Sequence, residues 1–414
     1  MRRVAVIAYH SSPLNEPGAG DAGGMTVYVR DVARAMAKLG IQTDVFTRSE
    51  SGVLEVTDIF PAVRVVAVPA GPADRVGKAD LVGHIPRFVE GMAAFAEENH
   101  LNYELVHTHY WQSGLAGAEA ARRWSVPHVH SNHTLGKVKN QHLPPGDTPE
   151  PEIRLEGEGS VISGADILVA STDEELQHLA CMYGASHDRL KTIYPGVDHG
   201  LFSPGDKVEA HRSLGLDPDQ AVLAIVGRIQ PLKGLDLALG ALEQLVGALD
   251  RDTTLVVVGG ASGPAGAGEA NRLRRLVAEL GIAAHVRFEG PQPHELTPTY
   301  YRAADALLVC SFSESFGLSA LEAQACGTPV VGTDVGGLRH IVRDGVSGSL
   351  TDSRDPSEFA ARLKTLLGDP ALHASFSEAA LDSSRNFTWE RTGRELAELY
   401  DCLITDRVPE FCTC

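Results

Sequence analysis

The sequence predicts an α/β protein built from two parallel-sheet domains, and three observations carry that expectation. Short apolar runs of strand length alternate with stretches of helical periodicity from the first residues onward, as in strands joined by crossover helices. At 414 residues the chain is too long for one ordinary core and suits two domains of about 200 residues each. A Pro/Gly-rich seam, Tyr194-Pro-Gly-Val-Asp-His-Gly-Leu-Phe-Ser-Pro-Gly, lies near the middle, with one alternating series before it and a second after it. The expected division is residues 1–200 and 201–385, followed by a terminal helix over 386–404.

From the N-terminus the reading begins with a strand from Arg3 to Ala8 and a long loop from Tyr9 to Gly24. A helix from Met25 to Leu39 follows, stopped by Gly40, and then a strand from Gln42 to Thr47. Apolar runs at Arg64 to Val68, Leu105 to His107, His128 to His130, Ile167 to Ala170 and Leu190 to Tyr194 read as further strands. Helical spacing is clearest at Ile85 to Glu98 and Glu174 to Met182. Gly136 to Glu158 is polar and broken by prolines, and reads as a solvated connection. After the seam come strands Val222 to Val226, Thr254 to Val258 and Val286 to Phe288, separated by helices Leu235 to Leu249 and Ala270 to Leu280. The stretch Ala306 to Gly337 reads as a buried strand to Cys310, a polar turn, a helix with Ser315 as N-cap and Gly327 at its C-terminal end, and a strand Pro329 to Gly332. Helices after Pro356 close the chain, the last an amphipathic one from Trp389 to Leu403.

Composition narrows the function classes. Hydrophobic residues make up 43% and charged residues 22%, as in a globular enzyme, and a formal charge of −18 argues against nucleic acid or an anionic membrane as the main partner. Met1-Arg2-Arg3 leads into VAVIAY, a strand length and neither a signal nor a membrane span. The six cysteines show no framework spacing: Cys310 and Cys326 read as reduced core residues, and Cys412-Thr-Cys414 as a frayed tail that could also hold metal or a disulfide. A cytoplasmic protein is expected.

Several motifs bear on chemistry. Gly18-Ala-Gly20-Asp21-Ala-Gly23 matches G-x-G-x-x-G, but a dinucleotide fingerprint follows its strand directly and here a loop intervenes after Ala8, so NAD is not expected. Glycines just before a helix still let backbone amides approach a ligand closely. His107-Thr-His109-Tyr110-Trp111 and His128-Val-His130-Ser-Asn-His133-Thr134 each end a strand, where ligands of parallel α/β folds collect. Alternate residues of a strand share a face, so some of these histidines belong to the core. No third cluster completes a zinc set, and no metal is expected. Val226-Gly-Arg228-Ile-Gln-Pro-Leu-Lys233-Gly234 follows a strand and opens a helix, so both cations can reach one pyrophosphate; a pair of surface cations is the plain alternative. Glu314 and Glu322 flank the start of the helix after Cys310. Carboxylates repel phosphate there and suit neutral sugar hydroxyls, unless they are solvated surface residues.

Glu314-Ser-Phe316-Gly317 with Glu322 eight positions after the first resembles the E-x7-E signature of retaining nucleotide-sugar glycosyltransferases of the GT-B type, family 4. That resemblance implies two Rossmann-like, doubly wound domains facing a cleft, with the helix at 386–404 crossing back onto the first. It also implies that Glu314 holds donor-sugar hydroxyls, Glu322 the ribose, and Gly24, Arg228, Lys233, Phe316 and Gly317 the rest of the donor. His10-Ser-Ser-Pro through Gly-Asp-Ala-Gly-Gly-Met-Thr-Val-Tyr28 is similar to the first loop of the mycothiol-pathway D-inositol-3-phosphate N-acetylglucosaminyltransferase family. Thr26 stands where that family commonly has Asn, and Gln292 where Arg is expected. The acceptor set carried over is His10, Asp21, Thr26, Lys78, Tyr110, Thr134 and Arg154, and the catalytic set Arg228, Lys233, His133 and Glu314.

The implied reaction moves N-acetylglucosamine from UDP-N-acetylglucosamine to a phosphorylated polyol such as 1D-myo-inositol 3-phosphate, with retention and with no cofactor. Its partners are small molecules, not nucleic acid or membrane, and a homodimer is left open. Other readings stay open too: a sucrose-phosphate-synthase-like or lipid-glycosylating transferase, a UDP-sugar epimerase, and a non-catalytic sugar-nucleotide-binding protein.

Overall fold

The computed structural model describes residues 2–18, 20, 22–73, 76–78, 80–263 and 265–405. The Cys412/Cys414 tail and Asp21 lie outside them. In the first half the strands are β1 (Arg3–Ile7), β2 (Gln42–Ser49), β3 (Glu55–Phe60), β4 (Val63–Pro69), β5 (Leu105–His109), β6 (His128–Ser131), β7 (Ile167–Ala170) and β8 (Leu190–Thr192). They form one sheet in the order β3-β4-β2-β1-β5-β6-β7-β8. The second half contributes β9 (Ala221–Val226), β10 (Thr253–Val258), β11 (Val286–Gly290), β12 (Ala306–Val309), β13 (Val330–Thr333) and β14 (Gly348–Thr351), in the order β11-β10-β9-β12-β13-β14. Pairing is parallel except between β3 and β4. In each sheet the strand order reverses beside the first strand of its half, and at such a switch point the outgoing loops part to leave a crevice.

Helices cover both faces of each sheet, and the strand sequences say why. Along β9, Val222 and Ala224 belong to one core cluster and Leu223 and Ile225 to another, so alternate side chains feed opposite faces. In β1, Val4 and Val6 likewise separate from Ala5 and Ile7. Such strands read as unbroken apolar runs, which is why they are legible. β3 is not: its first four residues are exposed, and it holds the sheet edge by antiparallel pairing with β4 and by Ile59 and Phe60 at its end packing against the core.

The terminal helix Trp389–Ile404 starts at Thr388, whose side chain caps the Arg391 amide, and buries Leu396 and Tyr400 in the same cluster as Val4 and Val6. It approaches the helix Gly24–Lys38 so closely that a Cβ at Gly393 would lie 2.8 Å from the Ala35 Cβ. The chain passes between the halves twice side by side, with Val197 bridged to Thr388 in parallel.

Three sequence expectations need correction. Gly136 to Glu158 is not a solvated loop: it carries helices Gly136–Gln141 and Glu152–Gly164, the second with a weakly amphipathic sequence whose buried face includes Arg154 and Glu158. Charged residues on the inner face disguise it. Ser315 is not an N-cap; the helix Leu318–Ala325 begins after Gly317, whose φ of +99° is open to glycine. The helix from Leu235 ends at Leu245 rather than Leu249.

Candidate active site

A cavity of about 820 Å³ lies where the carboxyl ends of both sheets meet. The first half lines it with His10, Gly24, Lys78, Tyr110, His133, Thr134 and Arg154; the second with Arg228, Lys233, Glu314, Phe316, Gly317 and Glu322. These residues are scattered in sequence and meet because most of them follow a strand or open the next helix. Thr26 is the exception: it is buried behind the lining, its hydroxyl 3.1 Å from that of Ser11. The halves also touch directly. The Gly260 amide donates to the Gly18 carbonyl at 3.1 Å, and a Cβ at Gly23 would stand 3.1 Å from Arg228 Nε.

On the second-half side, Lys233 Nζ lies 2.6 Å from Glu314 Oε2, which also accepts from the Ser311 hydroxyl at 3.0 Å. The turn carrying Glu314 is clamped by glycines: the Gly337 amide donates to the Glu314 carbonyl at 2.9 Å, and a Cβ at Gly336 would fall 1.9 Å from that oxygen. Arg228 Nη1 reaches the Ser262 hydroxyl at 3.4 Å. Glu322 is buried, with Oε1 3.0 Å from His294 Nε2 and Oε2 accepting from the Tyr301 hydroxyl at 2.8 Å.

On the first-half side, Tyr110 is the hub. Its φ of +75° is a strained value for a non-glycine residue, pinned by its amide donating to the Ser131 carbonyl at 2.9 Å. The Arg154 guanidinium sits 5.1 Å and Lys78 Nζ 5.9 Å from its ring centroid, and the His10 ring packs against it at 4.4 Å. Arg154 is buried. It donates to Glu158 at 2.7 Å and the Thr134 hydroxyl at 2.9 Å, and pairs with Glu150 at 2.8 Å. Burial opposes its charge, but Tyr110, Glu158 and Glu150 raise its pKa further above the usual arginine value. Glu150 also pairs with Lys139. Burial would raise the Glu150 pKa, yet the two cations hold it below the ordinary carboxylate range.

The strand histidines separate from the loop histidine. His107, His109, His128 and His130 are buried in the sheet, and His133, at φ +61°, lines the cavity. His133 Nε2 is 2.9 Å from His109 Nδ1, leaving Nδ1 as its remaining polar atom. Burial pushes the pKa of His133 down to about 3, and that of His10 falls well below its ordinary value through burial and the nearby Lys78 and Arg228 charges. Both rings are therefore neutral hydrogen-bonding groups at neutral pH. Among the described residues no group of three or more His, Cys, Asp or Glu could hold a metal ion.

Sequence reasoning passed over Glu150, His294, Arg30 and Glu175. Glu175 had a readable signal, the capping box Thr172-Asp-Glu-Glu175. Its Oε2 accepts the Ser171 amide at 2.7 Å, whereas Oε1 is buried without a partner, and burial pushes the carboxyl up to about 7. His294 had none, because its partners Glu322 and Arg30 lie far away in the chain; Glu150 had only its four-residue spacing to Arg154, in a stretch that reads as a loop.

Two doubly wound sheets facing a polar cleft are the GT-B arrangement, and the chain's family matches make it a nucleotide-sugar-dependent glycosyltransferase. Comparison with known proteins narrows the class: the chain belongs to the glycosyl transferases of group 1. That family's model matches residues 206–382, and a glycosyl transferase 4-like domain matches 23–196. A protein of Catenulispora acidiphila named D-inositol 3-phosphate glycosyltransferase 2 is 46% identical over 98% of this chain and 96% of its own length. The D-inositol 3-phosphate glycosyltransferase of Geodermatophilus obscurus is 47% identical over 96% of this chain and 89% of that protein. Among solved structures, sucrose-phosphate synthase from Thermosynechococcus elongatus is similar at a TM-score of 0.90 and 30% identity, covering 98% of this chain and all (100%) of the other. Among the described residues no helix is long and apolar enough to cross a membrane.

Proposed function

We propose that this enzyme transfers N-acetylglucosamine from UDP-N-acetylglucosamine to 1D-myo-inositol 3-phosphate, with retention at the anomeric carbon. The observation that carries the acceptor half is the cluster of Arg154, Thr134, Tyr110 and Lys78 on one wall of the cleft, opposite Arg228 and Lys233. A guanidinium fork, a lysine and two hydroxyls suit a phosphate monoester. The names of the relatives at 46–47% identity support the same acceptor.

In this reading residues 1–200, with the returning helix, form the acceptor domain and residues 201–385 the donor domain. Arg228 and Lys233 stabilise charge on the departing pyrophosphate, and fixed donors aimed at developing charge are usually the largest catalytic contribution. Lys233 has three N–H donors, so it can keep Glu314 while reaching a phosphate oxygen. Glu314 and the neutral His133 orient the sugar, and Glu322 takes the ribose hydroxyls. The leaving phosphate takes the acceptor proton, so no protein general base is required. A cytoplasmic setting is supported by buried, unpaired Cys310 and Cys326.

The test is UDP release from UDP-N-acetylglucosamine with inositol 3-phosphate, inositol or fructose 6-phosphate as acceptor, and NMR of the product for anomeric configuration. Release that depends on inositol 3-phosphate, with an α-linked product, is expected. Equal release with free inositol sinks the phosphate assignment, and preference for fructose 6-phosphate favours a sucrose-phosphate-synthase-like reaction.

A further inference from the structure

His294 falls outside the motifs that mark the donor site, yet it joins the two halves at Glu322. Arg30, on the helix Gly24–Lys38 of the first half, places Nη2 2.9 Å from His294 Nδ1. On the other side of the ring, Nε2 lies 3.0 Å from Glu322 Oε1. Arginine offers only donors, so Nδ1 must carry a lone pair and the ring proton must sit on Nε2, donating to Glu322. The contact pair therefore selects one tautomer of the neutral ring; burial opposes protonation of that ring, while the hydrogen bond to Glu322 and its charge raise the pKa. With the Tyr301 hydroxyl donating to the other oxygen at 2.8 Å, the Glu322 carboxylate is held by a donor on each oxygen. A carboxylate has about four acceptor positions, so two remain for a pair of neighbouring hydroxyls.

We infer that His294 is a positioning residue for the donor nucleotide, orienting Glu322 toward the ribose hydroxyls and tying that orientation to the first half through Arg30. The inference rests on the reading that Glu322 takes the ribose. A buried imidazole with both nitrogens satisfied can be simple core packing. Here one partner comes from the opposite half of the molecule, so this bond exists only while the halves are together, and the ring hands that contact on to a residue lining the cleft.

The experiment measures UDP affinity by calorimetry, and donor KM and kcat, for the full chain and its His294→Ala, His294→Gln, Arg30→Ala, double Arg30→Ala/His294→Ala and Glu322→Gln variants. His294→Ala is expected to weaken UDP and raise donor KM by about tenfold or more, as for loss of a hydrogen bond to a charged group, with kcat changed by less than about threefold. His294→Gln is expected to recover UDP affinity to within about threefold, because an amide can donate to Glu322 and accept from Arg30. Arg30→Ala should weaken UDP in the wild-type background and add less than about twofold in the His294→Ala background.

Wild-type UDP affinity in His294→Ala, a glutamine variant as weak as the alanine one, or losses that multiply in the double variant would each overturn the proposal. Should His294→Ala fail to fold, unchanged UDP affinity in Arg30→Ala overturns it equally. Glu322→Gln with undiminished UDP affinity is a separate result and overturns the ribose reading beneath it.

Discussion

Replacing Arg154 by alanine has two consequences of calculable size. Arg154 is nearly inaccessible and reaches Thr134, Glu158 and Glu150, while its guanidinium lies against the Tyr110 ring. As the proposed fork for the acceptor phosphate, it contributes a charge-assisted bond of roughly 1.5–3 kcal/mol, about tenfold to a hundredfold in acceptor affinity. Its removal also strands Glu158, whose side chain is 1% exposed. Breaking a buried pair costs about 3–5 kcal/mol, and the low end applies because the Gly136 amide at 2.8 Å and the Tyr183 hydroxyl at 2.5 Å still donate to Glu158. At about 2–4 °C per kcal/mol for a domain of this size, melting should fall by roughly 6–12 °C. Acceptor KM and UDP affinity measured at 25 °C, alongside a thermal melt, separate the two effects. The expected result is a raised acceptor KM with unchanged UDP affinity. A lower melting temperature with unchanged acceptor KM would refute the phosphate role and leave Arg154 as structural, and an equal loss for UDP would refute the assignment of halves.

Three further outcomes follow from the same geometry. Arg228→Ala and Lys233→Ala should each lower turnover by about a hundredfold or more at near wild-type melting temperature, and near-normal turnover in both would remove them from the leaving-group site. Gly336→Ala, at φ +50° with its new Cβ 1.9 Å from the Glu314 carbonyl oxygen, should displace the Glu314 turn and raise donor KM by about tenfold or more; unchanged kinetics would mean that the turn is not clamped. Glu175 has a folded pKa raised to about 7 from an ordinary 4.5, so the folded state favours its protonated form and that contribution to stability is lost as pH rises from 4.5 through 7. Glu175→Gln should therefore be near neutral below pH 4.5 and stabilise increasingly toward pH 7, by on the order of 3 kcal/mol, in thermal melts. A stability difference independent of pH would show that the carboxyl is not buried as described.

The architecture and the places of most buried strands, with ends within about two residues, could be read before any contact was known. β1, β9 and β12 are buried on both faces, and unbroken apolar runs of strand length between helical patterns have few other folded solutions. Glu314, Glu322, Arg228 and Lys233 were legible through their resemblance to the family-4 signature, since on charge alone each pair reads equally well as surface residues. β3 escaped because an edge strand stabilised by its partner carries no apolar signature of its own. The helix Glu152–Gly164 escaped because its inner face carries Arg154 and Glu158 beside Gly157, Val161 and Ile162, and the two charges pair once buried but look solvated when read singly. Which histidine faces the cleft and which ones fill the sheet emerges only in the assembled fold. That fold also decides that Thr26 turns to Ser11, that Glu150 meets Arg154 and Lys139, and that Arg30 reaches His294. The Arg30–His294 contact depends on how the two halves meet and the others on how the loops of the first half fold back, and neither leaves a periodicity for a sequence to display.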